Sequence, residues 1–450
     1  MSKYPKYKDS GVEWLGEIPK HWISTKIKNM LSVPITDGPH ETPDFLDTGV
    51  PFVSAEAISK GYINFDKIRG HISIEANNKY SQKYSPKLHD VYMIKSGATT
   101  GVTAIVDNRI DFNIWSPLAV FRAGTSLNSY YLLNYLRSSN FQKAVELYWT
   151  YGTQQNIGMN VLENLYISVP PLQEQQTIAN YLDLATAKID TLIEKQTKLI
   201  ALLKEKRQAV ISTAVTRGLD STVAMKDSGV EWLGEIPVGW EALQLKRISS
   251  IKGGYAYATS DFEDEGIQII KIGNVYQSKF HTDRQPTFIS LDVAKKTREF
   301  LIAEGDLIIS LTGTLGKRDY GYAVTVDKKG EYRLNQRVAK MIPNNKLVAT
   351  KYLSYIMKSE QYLTQIYALP AGTKQANLSN DDVLSAVCAL PSLEEQEKIV
   401  RHIDDKTSKI DNLITKSTKA IDLLKEKRTA LISSAVTGKI DVREINMESA

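Results

Sequence analysis

Two polar stretches recur at matching places in this 450-residue chain, and both carry groups able to hydrogen-bond base edges or phosphates. The first is Gly152-Thr-Gln-Gln-Asn156, matched by Gly372-Thr-Lys-Gln-Ala-Asn377. Here the amides of Gln154, Gln155, Asn156, Gln375 and Asn377 can pair bidentately with adenine, Lys374 with guanine, and Thr153 and Thr373 with either. The second is a strand followed by a Gly/Thr turn. It runs from Asp90 to Gly101, with Lys95, Ser96, Thr99 and Thr100, and again from Asp306 to Arg318, with Thr312, Thr314, Lys317 and Arg318. Backbone amides and hydroxyls on such a turn can hold phosphate oxygens. Lys83, Lys87, Lys295, Lys296, Arg298, Arg333 and Arg337 are further cations that could meet a phosphate. Each feature also has a plain structural reading: a strand connection, a polar loop capping the next segment, or solvated surface.

Groups that would break or make covalent bonds do not assemble in the sequence. Gly316-Lys317 has Leu311 where a phosphate-binding loop needs its first glycine, and Arg318 where it needs Ser or Thr. No strand–GxGxxG–helix fingerprint occurs, and no Asn/Asp-Pro-Pro-aromatic tetrad of the kind expected of an amino-methyltransferase. Pro43-Asp44 followed by Glu56-Ala57-Ile58 approaches a nuclease core but lacks its lysine. His21, His40, His71, His89, His281 and His402 are scattered without ligand spacing. Gly38-Pro39-His40-Glu41 reads as a turn. The expectation is no catalytic residue, no metal site and no cofactor bound by this chain.

Composition narrows the class further. One cysteine, Cys388, excludes intrachain disulfides and cysteine-cluster metal sites and fits an intracellular home. No 18-residue apolar run is present, and residues 1–10 show no apolar signal core, so neither membrane nor secretion is expected. Net charge is +5, compatible with nucleic acid without arguing for it, because a duplex binder needs a local basic face. The 23 tyrosines against 10 phenylalanines suit a polar recognition surface or half-buried strands.

The elements that must position these groups are themselves duplicated. Asp9 to Pro19 reads DSGVEWLGEIP, and Asp227 to Pro237 repeats it unchanged; Leu202 to Arg207 and Leu423 to Arg428 both read LLKEKR. Each copy is long enough to hold a domain. Within a copy, short β-rich runs such as Val91-Tyr-Met-Ile94 and Asp306-Leu-Ile-Ile309 alternate with helical stretches, giving α/β (α+β) globules over 1–170 and 218–390. After Pro170-Pro171 and after Pro391 the texture changes to long stretches free of Gly and Pro, predicting helices over 171–217 and 391–437.

Both helices carry apolar residues at alternating steps of four and three. The predicted seam is Ile178, Leu182, Ile189, Leu192, Leu199 and Leu203 in the first, and Ile399, Ile403, Ile410, Leu413, Leu424 and Leu431 in the second, interrupted at Gln196 and Ser417. The simplest partner for each helix is the other, as an antiparallel coiled-coil pair with a pseudo-two-fold internal repeat. Two separate helices, each packed on its own globule, remain the alternative. The tail, 438–450, is expected near the N-terminus, because its counterpart Thr216 to Asp220 leads into the second copy.

At this point the motifs resemble a known family. WLGEIPxxW opens each globule (Trp14 to Trp22, Trp232 to Trp240); Ile35 to Pro43 follows in the first, and a GTxQ loop ending in Asn follows in both (Gly152 to Asn156, Gly372 to Asn377). Pro-x-Leu-x-Glu-Gln (Pro170 to Gln175, Pro391 to Gln396) then starts a long helix ending in LLKEKR. This order is similar to the specificity subunit of type I restriction-modification enzymes, over essentially the whole chain. The resemblance implies two target recognition domains, each reading half of a split, asymmetric site in double-stranded DNA, with the helices setting the unread spacer. It also implies two modification subunits that methylate adenine N6 with S-adenosylmethionine, two ATP- and Mg-dependent restriction subunits, and a prokaryotic cytoplasmic location. The Asp-Gly-Pro-His stretch has no second copy; Gly253-Gly-Tyr-Ala-Tyr257 stands there, so the two domains should read different sequences. Outside that family, a nuclease or methyltransferase with an unrecognised site and a coiled-coil scaffold without a DNA role stay open.

Overall fold

The computed structural model describes residues 2–107, 111–151, 155–276, 278–314, 316–369 and 375–445. The chain forms two compact units. One comprises residues 1–197 and 419–450, the other 198–418. The boundaries fall inside the two long helices, so each unit holds a recognition globule, the start of one helix and the end of the other.

The same sheet is built twice. In the first unit the order is Thr36–Asp37, Leu118–Phe121, Val91–Ile94, Thr103–Ile105, all antiparallel. In the second it is Ser249–Gly253, Val338–Pro343, Leu307–Ser310, Ala323–Thr325, again antiparallel. A smaller sheet flanks each. Val50–Val53 lies between His71–Ile72 and the parallel Asn113–Ile114. Its counterpart Ile267–Ile270 lies between Phe288–Ile289 and the parallel Tyr332–Leu334. The central strands are buried along their length, which is why they read as short continuous apolar runs.

Each globule is closed by its own ends. Ile23–Lys26 pairs with Tyr166–Val169, and Glu241–Gln244 with Val387–Leu390. The recurrent motifs build this closure. The Glu174 carboxylate, at the start of the first long helix, accepts hydrogen bonds from Tyr4 Oη at 2.7 Å and Trp22 Nε1 at 3.0 Å, and faces His21 Nε2 at 2.8 Å. In the second unit Trp240 Nε1 donates to Glu395 at 3.1 Å. Gln175 donates to the Ser126 and Pro170 carbonyls and accepts from the Asn128 amide. Gln396 does the same with Leu347, Pro391 and Ala349. Both glutamines are fully buried and satisfy main-chain groups that would otherwise be orphaned where the chain enters the helix, while the preceding glutamates anchor the tryptophan side chains.

The long helices span Leu172–Arg217 and Leu393–Val436. Each ends at a left-handed glycine, Gly218 and Gly438, both at φ +73°. Gly438 lies against Pro19 and Trp22 as Gly218 lies against Pro237 and Trp240. Beyond it, the Asp441 amide donates to the Ser2 carbonyl at 2.9 Å. Within the first unit, Asp190 meets Arg428 at 3.0 Å; within the second, Arg207 meets Asp411 at 2.9 Å. Glu174 and Gly438 both touch Trp22 in the first unit, and Glu395 and Gly218 both touch Trp240 in the second, so with these ion pairs the segments run antiparallel within each unit.

The seam differs from the predicted one in its middle. Ile178, Leu182, Ile189, Leu203, Ile399, Ile403 and Ile410 are buried, and Leu424 and Leu431 half-buried, but Leu192, Leu199 and Leu413 are 42–50% exposed. Ile193, Ile200 and Ile414 take the inward positions instead. The reason is angular. At about 100° per residue, positions 193, 196, 200, 203 and 207 stay within about 40° of the line through Ile189, whereas 192, 199 and 206 drift about 60°, 80° and 100° behind it. A strict heptad needs supercoiling to hold its stripe; here the extra step of four from Ile189 to Ile193 brings the stripe back into line.

A half-buried cation marks the place where each globule meets its helices. Arg137 donates to the Gly61 carbonyl at 2.5 Å and the Thr103 carbonyl at 3.2 Å, and burial beside Arg428 pulls its guanidinium down to about 10. At the matching position Lys358 rests over the Tyr355 ring, and burial beside Arg207 lowers its ammonium to about 8. The unfolded chain would hold that proton up to the ordinary value of 10.5, so the folded state binds fewer protons between about pH 8 and 10.5 and stability rises with pH across that window. Lys358→Met is expected to stabilise the second unit at pH 7 by on the order of 1–3 kcal/mol and to flatten that rise. Thermal unfolding at pH 7 and pH 9.5 reads both.

Candidate nucleic-acid interface

The two polar motifs, far apart in sequence, become neighbours in both units. In the first, the strand Val91–Ile94 runs on through Lys95 and Ser96 to the turn, and this extension pairs with Gln155 and Asn156 at the end of the first polar stretch. The Ile157 amide donates to the Lys95 carbonyl at 2.9 Å, the Gly97 amide donates to the Gln155 carbonyl at 3.0 Å, and Ser96 bridges Asn156. In the second, Thr312–Thr314 pairs antiparallel with Gln375–Asn377, and the Leu378 amide donates to the Leu311 carbonyl at 2.7 Å. The adjacency follows from sheet order: both polar segments extend from central strands or lead into the closing strand of the globule.

The side chains divide into those facing solvent and those holding the frame. Thr99, Asn156, Thr314, Lys317, Arg318, Gln375 and Asn377 are exposed, with Ser96 and Gln155 half-buried. Thr312 is buried and donates its hydroxyl to Asn377 Oδ1 at 3.1 Å, which orients the Asn377 amide. Thr100 donates to the Gly97 carbonyl at 2.7 Å and shapes the turn. The Arg318 guanidinium lies 5.3 Å from the Tyr367 ring centroid, a geometry that keeps its planar fork extended. A cleft of about 340 Å³ opens beside this strand pair, lined by Tyr276, Thr314, Asp319 and Gln375 among others. Thr153, Gln154, Thr373 and Lys374 lie outside the described residues.

Two of the expected cations are not free surface. The Lys95 side chain is 13% exposed and pairs with Asp37 at 3.3 Å. Arg333 is buried and donates from Nε and Nη2 to the Ala294 carbonyl. Burial beside a carbonyl satisfies that guanidinium inside the domain, so it cannot reach a phosphate. Lys87, Lys295, Lys296, Arg298 and Arg337 are exposed or half-buried.

The feature the motif search passed over is Asp37. It is 0% exposed and is faced by Lys83 Nζ at 2.5 Å, the His40 imidazole Nε2 at 3.1 Å and Lys95. The following glycine is fixed by sterics, since a Cβ on Gly38 would come within 2.0 Å of the Ile114 carbonyl oxygen. Gly254 is pinned in the same way against Asn335, at 2.2 Å, so Gly253 occupies the Asp37 position of the second unit. There the surroundings are aromatic: Tyr255 sits 4.9 Å from Tyr257 and 5.4 Å from Phe300. The single copy of Asp-Gly-Pro-His was the available signal.

Among the described residues no helix is long and apolar enough to cross a membrane. Residues 19–202 and 237–422 each match the family described as the type I restriction modification DNA specificity domain. The chain is 28% identical over 293 residues to the MjaVIII specificity subunit of Methanocaldococcus jannaschii, covering 65% of this chain and 66% of that one. It is 26% identical over 443 residues to the MjaX specificity subunit of the same organism, covering 95% and 96%. A chain from the structural work on assembly and conformational transition of the type I R-M system is similar in fold, with TM-score 0.63 at 18% identity over 94% of this chain and 99% of that one. With two family matches that between them take in most of its length, the chain belongs to the type I restriction modification DNA specificity family.

Proposed function

We propose that this chain reads a split DNA sequence for a type I restriction-modification complex, one half-site per recognition domain. The observation that carries this reading is the strand pair described above. It has the same frame in both units and turns the same pair outward, Gln155 and Asn156 in one and Gln375 and Asn377 in the other, while the turn beside it differs, Ser96 and Thr99 against Thr314, Lys317 and Arg318. A shared frame with unlike faces suits two unlike half-sites on one duplex.

As a specificity subunit the chain leaves catalysis to its partners. The long helices set the unread spacer and dock two modification subunits, for which Leu184, Leu192, Leu199, Leu202, Leu413 and Leu423 offer exposed apolar surface. S-adenosylmethionine belongs to those subunits; ATP and Mg²⁺ belong to two restriction subunits of the complete assembly. The setting is the prokaryotic cytoplasm.

Exchange of residues 1–170 for those of a relative is expected to change one half of the methylated sequence and leave the other half and the spacer intact. Sequencing the methylated sites of cells carrying the chimaera reads this. A change in both halves would sink the one-domain, one-half-site reading. Robust cleavage or methylation by the purified chain alone with DNA, Mg²⁺ and S-adenosylmethionine would overturn the non-catalytic assignment.

A further inference from the structure

We propose that Asp37 organises Lys83 and His40 into a phosphodiester-binding site of the first recognition domain. The assignment rests on the DNA-reading function above and names one ligand group within it. A carboxylate with no solvent contact would be costly without partners, and here two ammonium groups and an imidazole surround it. With Lys83 and Lys95 charged and Asp37 ionised, the cluster carries an excess of one positive charge, or two when His40 is protonated. That excess faces outward. Lys95 is largely buried, whereas the Lys83 and His40 side chains are 48% and 70% exposed.

Donor counting points the same way. Lys83 Nζ has three N–H groups; one goes to Asp37 Oδ1 and one to the Gly38 carbonyl at 3.1 Å, leaving one for a ligand oxygen. With Nε2 toward Asp37, His40 has Nδ1 as its other polar ring atom. The cluster is joined to the reading strand, because Lys95 is the residue whose carbonyl accepts from Ile157 beside the Ser96–Asn156 bridge. Asp37 does not touch the ligand in this arrangement; it is a positioning residue that holds an ammonium and an imidazole where a backbone phosphate can meet both. Gly253 and its aromatic neighbours offer no such group in the second unit.

The test uses the chain assembled with its modification partner and a duplex bearing the full bipartite site, with binding followed by fluorescence anisotropy across a salt series. Bulk electrostatics and positioning predict opposite signs for Asp37→Asn. Removing a negative charge would tighten DNA binding if only net charge mattered; loss of positioning weakens it, by about tenfold. Lys83→Gln is expected to weaken binding about five- to tenfold whatever the base sequence, and to reduce the slope of log K against log salt by about one. Lys83→Arg should restore most of that slope. Unchanged or tighter binding by a folded Asp37→Asn variant, or an unchanged salt slope for Lys83→Gln, overturns the assignment. If Asp37→Asn lowers the unfolding temperature so far that the first domain is lost, the Lys83 pair decides alone. Failure of the unaltered complex to bind a bipartite duplex would instead remove the DNA-reading function itself.

Discussion

Removal of seven residues from each long helix, 193–199 and 414–420, should shorten the recognised spacer by about three base pairs and leave both half-site sequences unchanged. Seven residues of helix rise about 10 Å, and base pairs stack about 3.4 Å apart. The deletion turns the remaining helix by only about 20°, so the inward face is kept. It also spares both inter-helix ion pairs, since Asp190, Arg207, Asp411 and Arg428 lie outside the cut segments. DNA with the original spacing should bind at least about 10³-fold more weakly, because one half-site would be engaged at a time and each lost base contact costs about 1–3 kcal/mol. Methylated-site sequencing reads the outcome. Altered half-sites at unchanged spacing would show that the helices are not the ruler.

Asp90→Ala should unfold the first recognition domain at temperatures where the unaltered chain is stable. Asp90 is buried and accepts from Arg122 through Nε and Nη2, both at 2.7 Å, from Tyr84 Oη at 2.6 Å and from the Lys87 amide at 2.9 Å. Taking the carboxylate away strands a guanidinium beside the Tyr84 ring and leaves a main-chain donor without its partner. Breaking such a buried pair from one side costs about 3–5 kcal/mol. In a unit of this size that lowers the melting temperature by on the order of 10 °C. Asp306 holds the matching position and accepts from the Ala303 amide at 3.0 Å, but its cation, Lys340, and Asp306 itself are both partly solvated. Asp306→Ala should therefore cost about 1 kcal/mol or less. Differential scanning calorimetry of the two variants gives the comparison; equal losses would contradict the burial argument.

Much of the architecture was written in the sequence because it is repeated there. The closure built from the WLGEIPxxW and Pro-x-Leu-x-Glu-Gln motifs could be located before its bonds were known, since side chains that satisfy buried main-chain groups tolerate little change between copies. The helix limits were equally plain from Pro170-Pro171, Pro391, Gly218 and Gly438. The inward face was not. Leu192 and Ile193, Leu199 and Ile200, and Leu413 and Ile414 are adjacent apolar pairs, and hydrophobicity alone does not choose between neighbours 100° apart on a helix. The interface was legible as two motifs and illegible as one surface, because pairing of Thr312–Thr314 with Gln375–Asn377 is set by strand order rather than by either motif. Lys95 and Arg333 looked like solvated cations; a buried carboxylate and a carbonyl, unseen in a linear pattern, had claimed them.

The pairing of Ile23–Lys26 with Tyr166–Val169, and of Glu241–Gln244 with Val387–Leu390, makes each globule a guest held by a clasp. Entry and exit sit side by side whatever lies between them, so loops inside can lengthen, shorten or exchange charge for aromatic rings without disturbing the scaffold outside. The price of a new specificity is then confined to the guest. Two such clasps on one frame let the halves of a recognition sequence evolve independently, and the number of sequences within reach grows as the product of the two repertoires rather than their sum.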